Sequence, residues 1–141
     1  MSANAEITGY MEGPYNPRFL KHAIDGFYCQ HTTGYGFAGN TGMGWLQVDL
    51  KGFFILECVR IPVISEKGHS TSFMKGVEFR FGNETKNGNQ ELNPIIGYSD
   101  SDAMGQIFEF CPKFKLIGRY FIIQRRNIGK LDVGEIQINV K

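Results

Sequence analysis

The sequence lacks the patterns of a membrane-spanning or a highly charged protein. None of its apolar runs is long enough to cross a bilayer, and the longest, GFFILECV, is interrupted by Glu57. Its 141 residues include 15 Lys and Arg against 14 Asp and Glu, so the net charge of +1 provides no overall attraction to nucleic acid or membrane. We therefore expect no membrane span and no nucleic-acid partner.

Cysteine is also scarce. The three cysteines, Cys29, Cys58 and Cys111, lie far apart, and no C-x-x-C motif is present. Their odd number and wide spacing argue against a disulfide framework and predict buried free thiols in a reducing compartment.

The N-terminal residues lack the basic start and the apolar region of a signal peptide. We therefore expect a cytoplasmic or otherwise intracellular protein. The alternative is a secreted protein from which a leader was removed. One N-glycosylation sequon is present, Asn83-Glu84-Thr85, and a triplet this short also arises by chance.

Catalytic motifs are absent as well. The sequence contains no G-x-S-x-G, H-E-x-x-H or P-loop. GYGFAG at 34–39 matches G-x-G-x-x-G, but a strand is predicted to follow it, so no helix N-terminus meets a phosphate group. His22, Cys29 and His31 lack the tight spacing and the fourth ligand of a zinc site. We predict that the protein is not an enzyme.

What the sequence does contain is β-strand pattern. In VEFRF, Val77, Phe79 and Phe81 alternate with Glu78 and Arg80, which is typical of a strand with one buried face. Turn residues such as LKG and GNETKNGN separate the apolar segments. The predicted strands are Trp45–Leu50, Phe53–Ile64, Val77–Phe81, Gln106–Cys111, Arg119–Arg125 and Gly134–Lys141.

Helical pattern is nearly missing. Only Asn16–Asp25 is compatible with a short helix or turn, with Asn16 as the cap and Pro17 at the first helical position. Strands without intervening helices predict an all-β fold, an antiparallel jelly-roll β-sandwich. We expect residues 1–141 to form one such domain, in which residues 1–22 are an N-terminal arm and a short helix or turn.

Basic residues are concentrated between residues 113 and 130, where no acidic residue occurs. This bias indicates either a basic patch for an anionic partner or an ordinary solvated edge. The residues concerned are Lys113, Lys115, Arg119, Arg125, Arg126 and Lys130.

Several short motifs, in a fixed order, resemble those of the F-type lectins (fucolectins), which are discoidin-like, galactose-binding-domain-like jelly rolls. The motifs are HAIDG, CQHTT, GWLQVDL, VRIPVI, MKGVEFRFGN, FEFCP, IGRYFIIQ and GEIQINV, and they cover Ala23–Val140. The resemblance implies a non-enzymatic, lectin-like module that binds glycans through loops at one end of the sandwich. It also implies a structural calcium ion held by Asp25 and Glu135, because calcium prefers several oxygen ligands. The alternative is that Asp25 is a turn residue and Glu135 a solvated strand residue.

The sequence departs from the family's ligand-binding pattern. The family binds fucose with one His and two basic residues and stacks it on a pair of adjacent cysteines. Here Ile64 and Phe73 stand at the basic positions, and the cysteine pair is missing.

The family's other disulfides also lack matching cysteines. Cys29 and Cys111 match family cysteines, but the positions of their family partners fall near Gly134 and Ile96, where this sequence has no cysteine. Cys58 is predicted to be an additional thiol in the core.

We expect the ligand to be contacted by the segments 28–44, 65–72 and 83–88. The alternative to lectin-like binding is an intracellular protein–protein interaction or structural scaffold module that has kept the fold and lost sugar binding. The partner is accordingly a glycan or a protein, and the chain is a possible homo-oligomer. The candidate ligand-binding residues are His31, Tyr35, Phe37, Lys67, His69 and Lys75.

Overall fold

The protein is an antiparallel β-sandwich, as the sequence predicts. The computed structural model covers all 141 residues, and the structure describes residues 5–12, 24, 41–62, 76–99, 107–126 and 135–141. Within these ranges there are seven strands and a short 3₁₀ turn at Gln90–Leu92. The strands are β1 (Glu6–Glu12), β2 (Thr41–Pro62), β3 (Val77–Gly82), β4 (Ile95–Ser99), β5 (Ile107–Phe110), β6 (Ile117–Arg125) and β7 (Gln137–Val140).

The strand β2 belongs to both layers of the sandwich. Its first half lies in a larger sheet with the order β1-β2-β6-β3-β4, and its second half pairs with β5 on one side and β7 on the other. Two predicted strands, Trp45–Leu50 and Phe53–Ile64, are therefore one strand of 22 residues. The predicted turn at LKG is an irregularity inside it, since the register against β6 shifts between Asp49 and Phe54.

This irregularity is held by ionic contacts around Asp49. Lys51 has a positive φ of 60°, which non-glycine residues seldom adopt. Its N–H donates to Asp49 Oδ1 at 2.8 Å, and its ammonium contacts both Asp49 and Glu6. Arg119 on β6 forms a bidentate pair with the same carboxylate at 2.7 and 2.9 Å. The Arg119 guanidinium holds the pKa of the Asp49 carboxyl well below its usual range.

The hydrophobic core lies between the two layers. The predicted alternation in β3 is confirmed, because Val77, Phe79 and Phe81 are all fully buried. Phe79 joins the layers: its ring centroid lies 5.7 Å from that of Phe108 and 4.8 Å from that of Phe110 on β5. Burial of such aromatic side chains is a main source of stability in a sandwich.

Close approach at the edge of the sandwich requires a glycine. A Cβ atom built on Gly97 of β4 would lie 2.2 Å from the Phe110 ring, so a larger residue at this position would displace the ring from its packing.

The two strands that the sequence prediction omitted, β1 and β4, lie at the edges of the larger sheet. The predicted N-terminal arm therefore contains a strand, Glu6–Glu12. The predicted helix or turn at 16–25 lies outside the described residues except for Ile24, which packs against the core. In β4, Ile95 and Tyr98 are exposed while Ser99 is buried, so this strand lacks the alternation of apolar and polar residues that reveals a buried face.

The prediction of three free thiols is wrong for two of the cysteines. Cys58 on β2 and Cys111 after β5 form a disulfide, with Cα atoms 4.2 Å apart. The antiparallel pair Val59–Phe110 places Cys58 and Cys111 opposite each other, so the pairing follows from strand register. Spacing along the chain contains no information on that register, so the bond was not predictable from the positions of the cysteines. Cys29 lies outside the described residues.

We expect the double variant Cys58→Ser/Cys111→Ser to have a free energy of unfolding about 2–4 kcal/mol lower than that of the wild type. The bond joins residues 53 positions apart, and it restricts the unfolded chain accordingly. Urea unfolding with and without reductant measures the effect. Cys29→Ser is the matched control and should keep the full sensitivity to reductant, whereas equal midpoints for oxidised and reduced wild type would contradict the assignment.

We further expect Asp49→Asn to lower the free energy of unfolding by about 1–3 kcal/mol at pH 7, because the variant loses a charged bidentate contact. The pKa of Asp49 is depressed in the folded state, so its contribution is complete above the unfolded value of about 3.9 and declines as the pH falls below it. The difference in stability between wild type and variant should therefore shrink between pH 4 and pH 2.

Chemical denaturation at several pH values measures this difference. Glu57→Gln removes one partner of an exposed pair with Lys141 and serves as the control, with an expected change within about 0.5 kcal/mol. A wild-type advantage over Asp49→Asn that stays constant across this pH range would show that the Asp49 charge is not its source.

Candidate functional site

The strand register divides the sandwich into two unlike ends. At one end, Ile55 pairs with Ile117 of β6 and exchanges two backbone hydrogen bonds, of 2.8 and 3.0 Å, with Lys141. We call this the closed end, since both layers meet there. We call the opposite end of the sandwich the open end. It is formed by the strand termini that are farthest along their strands from Ile55 and Ile117. They are Glu12, Thr41, Pro62, Val77, Ser99, Ile107, Arg125 and Gln137.

The open end is where the chain enters and leaves the segments between described strands. Four segments both begin and end next to strand ends of the open end. They are 13–40, 63–75, 100–106 and 127–134. Two of the three predicted contact segments, 28–44 and 65–72, belong largely to these connections. The third, 83–88, does not, since it follows β3 at Gly82 and thus starts from the side of the closed end.

Segment 83–88 packs against the outer face of the larger sheet instead. The Lys86 N–H donates to Gln47 Oε1 at 2.7 Å, and the Lys86 ammonium lies 5.7 Å from the centre of the Trp45 ring. Its prediction as part of the contact surface at one end of the sandwich is therefore wrong. The physical reason is that β3 and β4 are antiparallel neighbours, so their connection must lie opposite to Val77 and Ser99.

The candidate ligand-binding residues His31, Tyr35, Phe37, Lys67, His69 and Lys75 all lie outside the described residues. What the structure describes is the strand ends that flank them. Lys75 directly precedes Gly76, whose carbonyl accepts a hydrogen bond of 2.8 Å from the Arg126 N–H. This bond ties the start of β3 to the end of β6.

An ionic network reinforces the same junction. Arg126 donates to Glu78 at 2.9 Å and to Glu91 at 2.7 Å. Arg80 on β3 donates to Glu91 at 3.1 Å and to the Asn93 carbonyl at 2.7 Å. The hydrogen bond from Arg126 lowers the pKa of Glu91 below its ordinary value, and the bond to Glu78 raises the pKa of Arg126. This network links β3, the end of β6 and the 3₁₀ turn, and it holds these elements together next to the open end.

Polar side chains are also buried near the end of β6. Gln124 donates to the Arg125 carbonyl at 2.7 Å and accepts a hydrogen bond of 3.4 Å from Gln90. Arg125, the last residue of β6, is almost completely buried, and burial lowers the pKa of its guanidinium. Charged side chains are seldom buried this deeply, and the position of Arg125 in a set of six basic residues does not predict its burial.

The basic residues between 113 and 130 do not form one patch. Arg119 pairs with Asp49, Arg126 pairs with Glu78 and Glu91, and Arg125 is buried. Lys113 and Lys115 are exposed in the turn between β5 and β6, and Lys130 lies outside the described residues. Alternation along the chain places Arg125 and Arg126 on opposite faces, and acidic residues from other parts of the chain pair with Arg119 and Arg126.

Of the two predicted calcium ligands, only Glu135 lies among the described residues. It is 1% exposed and directly precedes Ile136, which is fully buried in the core. The alternative of a solvated strand residue is therefore wrong for Glu135. Within the described ranges, no group of three or more His, Cys, Asp and Glu side chains is arranged to hold a metal ion. Glu135 fits a calcium site as a buried oxygen donor near the open end.

No protein-family model matches the sequence, and no curated protein matches it. Solved structures do match. A fucolectin from striped bass serum (Morone saxatilis) is 20% identical to this chain and superimposes on it with a TM-score of 0.75. The match covers 95% of this chain and 46% of the fucolectin chain. This chain therefore spans a little under half of the fucolectin chain.

Two further modules match over nearly their whole length. The lectin domain of lectinolysin, solved with Lewis B antigen, has a TM-score of 0.76 at 14% identity, with 99% and 95% of the two chains covered. The family 32 carbohydrate-binding module of Clostridium perfringens NanJ, solved with galactose, has a TM-score of 0.69 at 12% identity, with 97% and 94% covered. The fold of this chain is thus the galactose-binding-domain-like jelly-roll sandwich. Among the residues that the structure describes, no helix has the length and apolar content needed to cross a bilayer.

Proposed function

We propose that this chain is a non-enzymatic glycan-recognition module whose ligand contacts come from the open end. The observation that carries the proposal is the fold likeness, over nearly the whole chain, to modules solved with Lewis B antigen and with galactose. Fold alone does not fix function, so the site must supply the chemistry.

The open end suits glycan binding for a physical reason. Sugar recognition needs hydrogen bonds to hydroxyl groups together with an aromatic surface for the apolar face of the ring. The aromatic candidates are Tyr35 and Phe37, and the polar candidates are His31, Lys67, His69 and Lys75. The paired strand ends and the Arg126–Glu78–Glu91 contacts give these segments fixed points of attachment.

The disulfide bears on the compartment. The Cys58–Cys111 bond supports an oxidising compartment, which is the second of the two locations that the sequence left open. It also favours the lectin-like function over the intracellular scaffold, because stable disulfides are rare in reducing compartments.

Calcium is the cofactor we propose, held by Asp25 and Glu135. The support is the burial of Glu135, since buried carboxylates are retained where they are paired or coordinate a cation. Ile24 and Ile136, the chain neighbours of the two carboxylates, both belong to the same hydrophobic core. When bound, the ion would link the chain before β2 to the start of β7.

A glycan array with purified protein, run with calcium and with chelator, tests the proposed function. We expect selective binding, with the affinity reduced about tenfold in Tyr35→Ala and Phe37→Ala because each variant loses an aromatic surface. Phe114→Ala is the matched control, since Phe114 is 85% exposed in the turn between β5 and β6 at the closed end.

A blank array from protein shown to be folded by circular dichroism would contradict glycan recognition and favour the scaffold function. An equal loss in Phe114→Ala and in Tyr35→Ala would contradict the assignment to the open end.

Calcium binding predicts a separate effect on stability. At calcium concentrations about 100-fold above the dissociation constant, the free energy of unfolding should rise by about 2.7 kcal/mol. Thermal unfolding with calcium, magnesium and chelator measures the increment. We expect Asp25→Asn and Glu135→Gln to lose it and Glu57→Gln to keep it. A wild-type unfolding temperature that calcium does not change would exclude the site.

A further inference from the structure

The only N-x-S/T triplet of the sequence, Asn83-Glu84-Thr85, lies in a well-defined turn directly after β3. Asn83 is exposed, and no hydrogen bond of its side chain is found in the described part of the chain. A bulky, hydrated glycan is compatible with folding only where the acceptor side chain reaches solvent. Asn83 meets this condition.

The residues around Asn83 hold the turn in place without using the acceptor. Asn93, which is 2% exposed, accepts a hydrogen bond of 3.0 Å from the Glu84 N–H and donates one of 2.8 Å to the Glu84 carbonyl. The Thr85 hydroxyl accepts a hydrogen bond of 3.0 Å from the Gly88 N–H. The side chain at position 83 is therefore the free group of the turn, and a substituent on it disturbs none of these bonds.

The position is also compatible with ligand binding. Gly82, the last residue of β3, pairs with Tyr120 near the start of β6, and Asn83 follows it. The open end lies at the other end of β3, at Val77. A glycan on Asn83 would therefore lie at the opposite end of β3 from the strand ends that define the open end.

The disulfide supplies the second, independent observation. N-glycosylation takes place in the secretory pathway, the compartment in which a bond such as Cys58–Cys111 forms and persists. From the exposed sequon and the disulfide together, we propose that Asn83 is an N-glycosylation site. The inference does not depend on the chain's own ability to bind glycans.

The donor is an oligosaccharide linked through a diphosphate to a lipid. The Asn83 Nδ2 atom forms a bond to the anomeric carbon of the donor's first sugar. The bond between that carbon and the diphosphate oxygen breaks, the lipid diphosphate leaves with the electron pair, and the amide loses one proton to the transferase. No oxidant or reductant takes part.

The test is expression of the full chain behind a secretion signal in a eukaryotic cell, followed by intact-mass measurement before and after treatment with peptide N-glycosidase. Secreted and cell-retained protein are both analysed. We expect one removable glycan, and an aspartate at position 83 after enzymatic release. Asn83→Gln should remove it. Thr85→Ser should keep it, since serine preserves both the sequon and the hydroxyl that Gly88 contacts.

Asn87→Gln is the matched control, because Asn87 is an exposed asparagine of the same turn outside any sequon, and it should keep the glycan. A thiol count confirms in parallel that Cys58 and Cys111 are paired. Disulfide-bonded wild-type protein with no mass change on treatment would overturn the proposal. A blank glycan array with Asn83 fully glycosylated would contradict only the proposed function.

Discussion

The whole architecture depends on one strand passing from one layer of the sandwich to the other. β2 pairs with β1 and β6 in the larger sheet and with β5 and β7 in the smaller, so four of the six other strands are hydrogen-bonded to it. The passage requires a local break in regular pairing, and Lys51 provides it at a backbone conformation that is unfavourable for a lysine. Asp49 compensates by binding Lys51 and Arg119 together. One partly buried carboxylate therefore stabilises the corner around which both sheets are arranged.

This arrangement separates the roles of the two ends. At the closed end, Ile55 exchanges two backbone hydrogen bonds with Lys141, and the neighbouring Leu56 N–H donates to the Leu116 carbonyl just before β6, so the chain there connects both layers. At the open end, long segments leave from strands whose positions are fixed by Arg126 and its acidic partners. Long connections on a rigid base are the usual setting for recognition sites, because their sequence varies at little cost to the core.

Much of the fold was predictable because its signal is local. The alternation of Val77, Phe79 and Phe81 identifies a strand and its buried face without any knowledge of its neighbours. The Cys58–Cys111 bond was not predictable, since it depends on the register of β2 against β5, which is a property of the assembled sheet. The burial of Arg125 was missed for a related reason. Arg125 follows Phe121 and Ile123 on the core-facing side of β6, whereas segment 83–94 contacts Gln124 on the outer face, and no pattern within β6 indicates that its last inward position is enclosed. The candidate site was predictable only as a set of segments, because strand alternation carries no information on loop geometry.

The central position of β2 also has a consequence for how fast the chain reaches its native state. Trp45 is paired with Gln124, and Leu56 with Val140, so the strand acquires its partners from regions near the opposite terminus. Contacts between residues so distant in sequence require large loops to close before they contribute any stability, and folding is slow where such contacts dominate. Among the described strands β7 pairs only with β2, so the smaller sheet is complete only when residues up to Val140 are available for pairing. Until then the second half of β2 lacks one of its two partner strands, and an unpaired strand edge in a partly folded chain is prone to aggregation.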